Sequence, residues 1–274
     1  MTDLIGRIRA GGGTIVVLGE PGIGKSSLLR AAADYGWQQS LRILVTTGIE
    51  AEAQLPFAGL HQLLWPVLDA ADQLPAAQQS ALSAAFGTGD GQQPEPFMIA
   101  LATLNLLADL AVQQPVLLVV DDVHWLDKPS QDVLTFIARR VDADPIVVIA
   151  SIRQGHDVTL ASAGLPELDV RGLDDRSARA VLAAHGGDLS HASQERILRE
   201  ALGNPLALVE LPKALRGSQG PGLEMLPLTA RLERAFAARL ADLSPLARDA
   251  VLIAAVDYAD ELPEILAGAS VLAG

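Results

Sequence analysis

The stretch GEPGIGKS (residues 19–26) carries the clearest chemistry in the chain. It satisfies the spacing G-x-x-x-x-G-K-[ST] at Gly19, Gly24, Lys25 and Ser26, directly after the β-branched run TIVVL and before a helical pattern. Each residue type has a physical reason to be there. Gly22 and Gly24 permit positive φ, which turns backbone N–H groups inward to make an anion nest. The N-terminus of the following helix adds the positive end of its dipole. Lys25 can bridge the outer phosphates of a nucleotide, and the Ser26 hydroxyl can ligate Mg²⁺. Glu20, Pro21 and Ile23 complete the loop and Ser27 follows it, so residues 19–27 form the expected nucleotide-binding set.

A phosphate loop of this kind needs an acid at the end of another buried strand. VLLVVDD (116–122) supplies Asp121 as the expected Mg²⁺-side carboxylate and Asp122 as the candidate for positioning an attacking water. Arg153 follows the apolar run PIVVIASI, at the strand edge where open α/β sheets bind ligands, and is the cation expected at the terminal phosphate. Lys25, Asp122 and Arg153 make up the expected catalytic set. Arg139 and Arg140 end a helix, where cations offset the helix dipole without further role. The five histidines (61, 124, 156, 185 and 191) have no metal-ligand spacing, and only His124 stands beside the acids.

The elements that must hold these residues alternate between strand and helix. Strands are expected at 14–18, 42–48, 115–122 and 145–153, the last two as apolar runs suited to a parallel sheet covered on both faces. Helical periodicity follows the loop until Gly36 closes it, and recurs at 57–70, 98–112 and 130–140, with a Gly/Gln/Pro loop at 87–96. After 165–173 only helical periodicity remains. The expected organisation is a nucleotide-binding domain over 1–170, a helical lid over 171–216, a linker at 217–222 and a partial, truncated winged-helix domain over 223–274.

Composition narrows the function classes. The chain has 274 residues, no cysteine and a net charge of −13. Residues 1–170 carry 9 basic and 19 acidic side chains, and 171–274 carry 11 and 14, so neither part is equipped to grip a nucleic-acid backbone. No targeting segment is visible. The longest apolar stretch (98–112) is short for a bilayer and contains Asp109, which predicts a buried helix and a soluble, cytoplasmic protein.

Taken together, the segments GEPGIGKSSLL, AEAQLPFAGLHQLL, PVLLVVDDVHWLDKPSQDVLTFIARR, SIR, GNPLALVELPKAL and PLTARLERAFAARLADLSPLARDAVLIAA resemble the ATPase module of the large ATP-binding LuxR-family, MalT-like transcription regulators, within the STAND class of signal-transduction ATPases. The resemblance implies a P-loop NTPase fold of the AAA+/STAND type: a parallel sheet with helices on both faces and an extra strand between the P-loop strand and the acidic strand. A helical lid and the start of a winged-helix domain would follow. It implies ATP/ADP and Mg²⁺ as cofactors, Arg153 as a sensor, and Pro205 packed against adenine. Pro205 also fits as the first turn of a helix capped by Asn204. The family's usual G-R-[ED]-x-E segment and full helix before the P-loop strand have no room in LIGRIRAGGGTIVVLG.

The leading expectation is a slowly hydrolysing nucleotide switch of a signal-responsive regulator, whose DNA-binding domain lies outside this chain. Its partners would be nucleotide, an inducer or regulatory protein acting through further domains, and a second copy in nucleotide-dependent self-association. The alternative is an AAA+ motor acting as a ring on nucleic acid or protein, for which Arg139 and Arg140 are the only finger candidates. A small-molecule kinase would leave the helical tail unexplained.

Overall fold

The computed structural model describes residues 1–87, 95–187 and 189–217, the side chains of 214–217 excepted. Residues 88–94 of the expected loop, the 217–222 linker beyond Gly217 and the winged-helix segment lie outside the described residues. The chain divides into two compact units, Met1–Arg171 and Gly172–Gly274.

In the first unit five parallel strands form one sheet: β1 (Gly13–Gly19), β2 (Arg42–Thr47), β3 (Val116–Asp121), β4 (Ile146–Arg153) and β5 (Glu167–Asp169), in the order β2-β3-β4-β1-β5. β4 therefore sits between the P-loop strand and the acidic strand, where the family resemblance placed an extra strand. Burial follows position. Every residue of β4 but the last is buried, as is all of β3 but its last, whereas the edge strands β2 and β5 expose residues.

Because side chains alternate along a strand, the sheet feeds two cores. Val17, Leu117, Val119, Val147 and Ile149 face a smaller cluster with Ile5, Leu29 and Ala32, from α1 (Thr2–Gly6) and α2 (Lys25–Gln38). Val16, Leu44, Leu118, Val120, Val148 and Ala150 face a larger one. That face is covered by α3 (Ala58–Leu64), α4 (Ala76–Ala85), α5 (Pro96–Gln113) and α6 (Lys128–Ala138).

Several elements depart from the pattern-based boundaries. Gly36 does not end α2, which continues to Gln38. A Cβ there would stand 2.7 Å from Leu117 Cδ2, so glycine marks a close helix–sheet approach rather than a stop. The periodic run 57–70 is split: α3 ends at Leu64 and Trp65–Gln73 continues as 3₁₀ helix, with Pro66 in its first turn. α4 has no counterpart in the sequence reading. α5 has 18 residues and a mean hydropathy of 1.5, enough by length and composition alone to cross a membrane. Its Ile99, Ala102, Leu106, Leu107 and Leu110 are packed into the larger core, as a core helix requires.

The second unit carries α7 (Asp175–His185), α8 (His191–Ala201) and α9 (Pro205–Gly217). Its core is Ala178, Leu182, Ile197, Ala201, Ala207, Leu208 and Leu211. Asp174 and Ser190 cap α7 and α8 through bonds from Ser177 N (2.7 Å) and Ser193 N (3.2 Å). The segments 172–173 and 203 are clasped together. Leu173 N donates to Gly203 O at 2.8 Å, and a Cβ on Gly203 would lie 2.4 Å from Leu173 O.

Candidate functional site

All five strands run the same way, so the ends of β1, β2, β3 and β4 share one edge. The register sets Gly19 beside Arg153 and Thr47 beside Asp121. Lys25, Asp121, Asp122 and Arg153 meet there although 128 positions separate the first from the last.

The loop between β1 and α2 adopts the expected backbone: φ is +73° at Gly22 and +103° at Gly24, which is also the N-cap of α2. Ile23 is buried and anchors the loop, while Glu20, Ser26 and Ser27 are exposed and Pro21 is half-buried. Lys25 opens α2 and is 7% exposed. Its Nζ reaches back to donate to Gly19 O (3.0 Å) and Glu20 O (3.1 Å), bracing the loop across its mouth. Burial lowers the Lys25 pKa, and Arg153 adds to this, while Asp122 and Asp121 oppose it.

Ser151 of β4, fully buried, organises the acid pair. Its hydroxyl donates to Asp121 Oδ1 and accepts from Asp122 N at 2.9 Å. The same Asp121 oxygen accepts Asp122 N at 3.1 Å. Asp122 has φ +48° and ψ +51°, a left-handed conformation that turns the chain sharply off the strand. Burial raises the Asp122 pKa and Asp121 raises it further, against the pull of Lys25 and Arg153. The Arg153 guanidinium makes no hydrogen bond or ion pair among the described residues.

His124 belongs to the same edge. Its side chain is 2% exposed, with Nε2 3.9 Å from Asp122 Oδ1. Arg153 N donates to its Nδ1 at 3.5 Å. Burial, with His156, Lys25 and Arg153 close by, pushes its pKa down from 6.5 to about 4.

Ser151, Asp127 and Ser130 carry no motif of their own that assigns them a role. Asp127 is 2% exposed and caps α6 through Ser130 N (2.9 Å). It also accepts Phe57 N (2.8 Å) and Gly59 N (3.0 Å) at the start of α3, while Ser130 Oγ accepts Leu60 N (2.8 Å). The one local signal was the D-x-x-S spacing of a helix cap.

Other candidates lie elsewhere. Arg140 stacks on Phe136, 3.7 Å above the ring, and bonds Phe136 O at 3.0 Å. Arg139 lines a cleft of about 360 Å³ with Arg7, Gly12 and Asp142, at the opposite end of β1 from the phosphate loop. Pro205 stands in the second unit at the first turn of α9, capped by Asn204 Oδ1 accepting Leu206 N at 3.1 Å.

The fold has counterparts among solved structures. Over 92% of this chain and 34% of the other, the fold is similar to that of a Signal Transduction ATPase with Numerous Domains (STAND) from Pyrococcus horikoshii that carries a tetratricopeptide repeat sensor (TM-score 0.50, 18% identity). The chain thus spans 34% of the length of that protein. AMPPCP-bound DnaA from Aquifex aeolicus is also similar, with TM-score 0.43 and 15% identity over 90% of this chain and 68% of that one. No curated protein sequence matches. The AAA ATPase domain family matches residues 1–149, from the N-terminus through the phosphate loop and the acid pair into β4. With more than half of its length inside that match, the chain belongs to the AAA ATPase domain family.

Proposed function

We propose that the chain is the nucleotide switch of a signal-responsive STAND-class regulator, similar to the large ATP-binding LuxR-family proteins, and that it hydrolyses ATP slowly. The observation that carries this reading is the convergence of Lys25, Asp121, Asp122 and Arg153 on one sheet edge, beside a loop whose two glycines have positive φ.

In this reading the loop amides of residues 19–27 hold the phosphates and Lys25 exchanges its two carbonyl partners for phosphate oxygens. Asp122 positions the attacking water, and Arg153, with no ion partner among the described residues, reads the terminal phosphate. The Ser26 hydroxyl and the Asp121 carboxylate are hard oxygen donors and fit Mg²⁺. When bound, the ion would offset charge on the outer phosphates. Pro205 is the one proposed nucleotide-side residue carried by the second unit. The helices of Gly172–Gly274 would answer to which nucleotide is bound, as they must if ATP and ADP differ in affinity for two states. An inducer or regulatory protein would bias that equilibrium, and DNA binding would belong to domains outside this chain.

Titration of ATP and ADP into the chain and into Lys25→Ala tests the reading. The parent is expected to bind both, and the variant to lose about 10–100-fold, the worth of a charge-assisted contact. Turnover of the parent should stay well below the ~10 s⁻¹ of ordinary enzymes. Equal, negligible binding by both chains would refute the proposal.

A further inference from the structure

We propose that His124 is a positioning residue for nucleotide cleavage: its ring spans from the main-chain N–H of Arg153 to the carboxylate of Asp122 and sets the orientation of that carboxylate. The proposal rests on the nucleotide-cleaving reading above.

The main chain of Asp122 is fixed by Ser151 at 2.9 Å, but among the described residues no hydrogen bond holds its carboxylate. Among the described residues the one basic side chain within ion-pair distance is His124, with Nε2 3.9 Å from Oδ1. The opposite edge of the ring is committed. Arg153 N donates to Nδ1 at 3.5 Å, so Nδ1 is the acceptor and the proton of the neutral ring resides on Nε2, facing Asp122.

Packing fixes the plane of the ring. His156 lies 4.4 Å from it centroid to centroid and Trp125 5.2 Å. The side chain is 2% exposed, so the ring has little room to turn away from its two partners. A positive charge on this ring would face Lys25, Arg153 and His156, against the two carboxylates of Asp121 and Asp122. Burial, with those cations, keeps the ring uncharged, and Nε2 faces Asp122 Oδ1 at 3.9 Å, where it steers the carboxylate electrostatically rather than through a hydrogen bond.

The arrangement ties the tip of β3 to the tip of β4. Movement of the Arg153 main chain, when its guanidinium engages a phosphate, would pass through His124 to the acid that positions water.

The test uses the full chain with ATP and Mg²⁺ under single-turnover conditions, comparing parent, His124→Gln and His124→Phe. A glutamine side chain retains an acceptor and a donor, whereas phenylalanine retains only bulk. Nucleotide affinity should stay within about 3-fold in both, since neither the loop nor Lys25 is touched. Cleavage should fall about 100-fold in His124→Phe, the usual penalty of a misplaced reacting group, and recover most of that loss in His124→Gln. Equal rates in all three proteins, or equal losses in both variants, would overturn the proposal.

Long-range ¹H–¹⁵N spectra of the parent give a check that needs no variant. An Nε2–H tautomer supports the bridge, and an Nδ1–H tautomer overturns it. Failure of the parent to bind ATP would instead remove the nucleotide reading itself, and this proposal with it.

Discussion

The Asp127 carboxylate accepts the Phe57 amide proton at 2.8 Å, across 70 positions of sequence. The same carboxylate caps its own helix at Ser130 N and takes Gly59 N, so one buried side chain starts α3 and α6 together. Phe57 is left-handed, with φ +63°, a conformation that costs a bulky residue about 1–2 kcal/mol. The bond to Asp127 offsets that cost. α3 is held at its other side too, where Gln62 Oε1 accepts Thr46 Oγ1 (2.6 Å) and Thr47 N (3.0 Å) at the tip of β2.

Replacing Asp127 with alanine strands three buried N–H groups. The expected cost is about 3 kcal/mol or more, from the lost charged acceptor and two lost helix caps. Asparagine, with one acceptor oxygen, should lose less. Urea denaturation with an unchanged m value would measure both, and losses below about 1 kcal/mol in alanine would contradict the double-cap account.

Two glycines should respond differently to alanine. A Cβ at Gly48 would lie 2.2 Å from Asp122 O and 2.7 Å from Leu126 N, both backbone atoms that cannot step aside. Gly48→Ala should therefore cost about 2–3 kcal/mol and displace Asp122. At Gly36 the atom met under 3 Å is Leu117 Cδ2, and alanine gains about 1 kcal/mol of helix propensity. Gly36→Ala should thus stay within about 1 kcal/mol of the parent, slightly destabilised, because Leu117 is itself buried. Thermal unfolding of the two variants would rank them.

What could be read from sequence was whatever a local pattern records. β3 and β4 were legible because strands buried on both faces read as unbroken apolar runs. β5 was not, since its three residues lie on an edge and are at best half-buried. α4, built of Ala, Gln and Ser with Leu82 as its one large apolar residue, has no strong apolar stripe for periodicity to find. In the site, Lys25 and the acid pair announce themselves through spacing. Ser151 and His124 act on partners 29 and 30 positions away, and Asp127 on partners 68 and 70 away. No short motif encodes a contact that only the parallel register of β3 and β4 creates.

Ser151 should matter to both stability and metal use. Its hydroxyl donates to Asp121 Oδ1 and accepts Asp122 N, so Ser151→Ala removes both bonds and leaves Asp122 N only its 3.1 Å bond to that same oxygen. The expected cost is about 1–2 kcal/mol. If Asp121 is the Mg²⁺-side carboxylate, the variant should also lose much of the strengthening that Mg²⁺ gives to ATP binding, while binding in EDTA stays as in the parent. Calorimetric titrations with and without Mg²⁺ separate the two effects. An unchanged Mg²⁺ dependence would remove Asp121 from that role.

The buried His124 ring predicts a pH dependence of stability with a definite sign. In the folded chain its pKa lies at about 4, below the ordinary 6.5, because burial penalises the charged form and His156, Lys25 and Arg153 oppose it, while Asp121 favours the proton. Between these values the unfolded chain takes up a proton that the native state refuses, so stability falls as pH drops. Above about pH 6.5 the group contributes no slope. His124→Gln removes the titration and should flatten that part of the decline, whatever it does to stability at neutral pH. Carboxylates titrate in the same window, but equally in both proteins, so the difference between their stability curves isolates His124. Urea midpoints at about pH 8, 6.5 and 5 suffice to measure it. Parallel curves for parent and variant would mean that the ring is not held neutral, and would take with them the donor geometry toward Asp122.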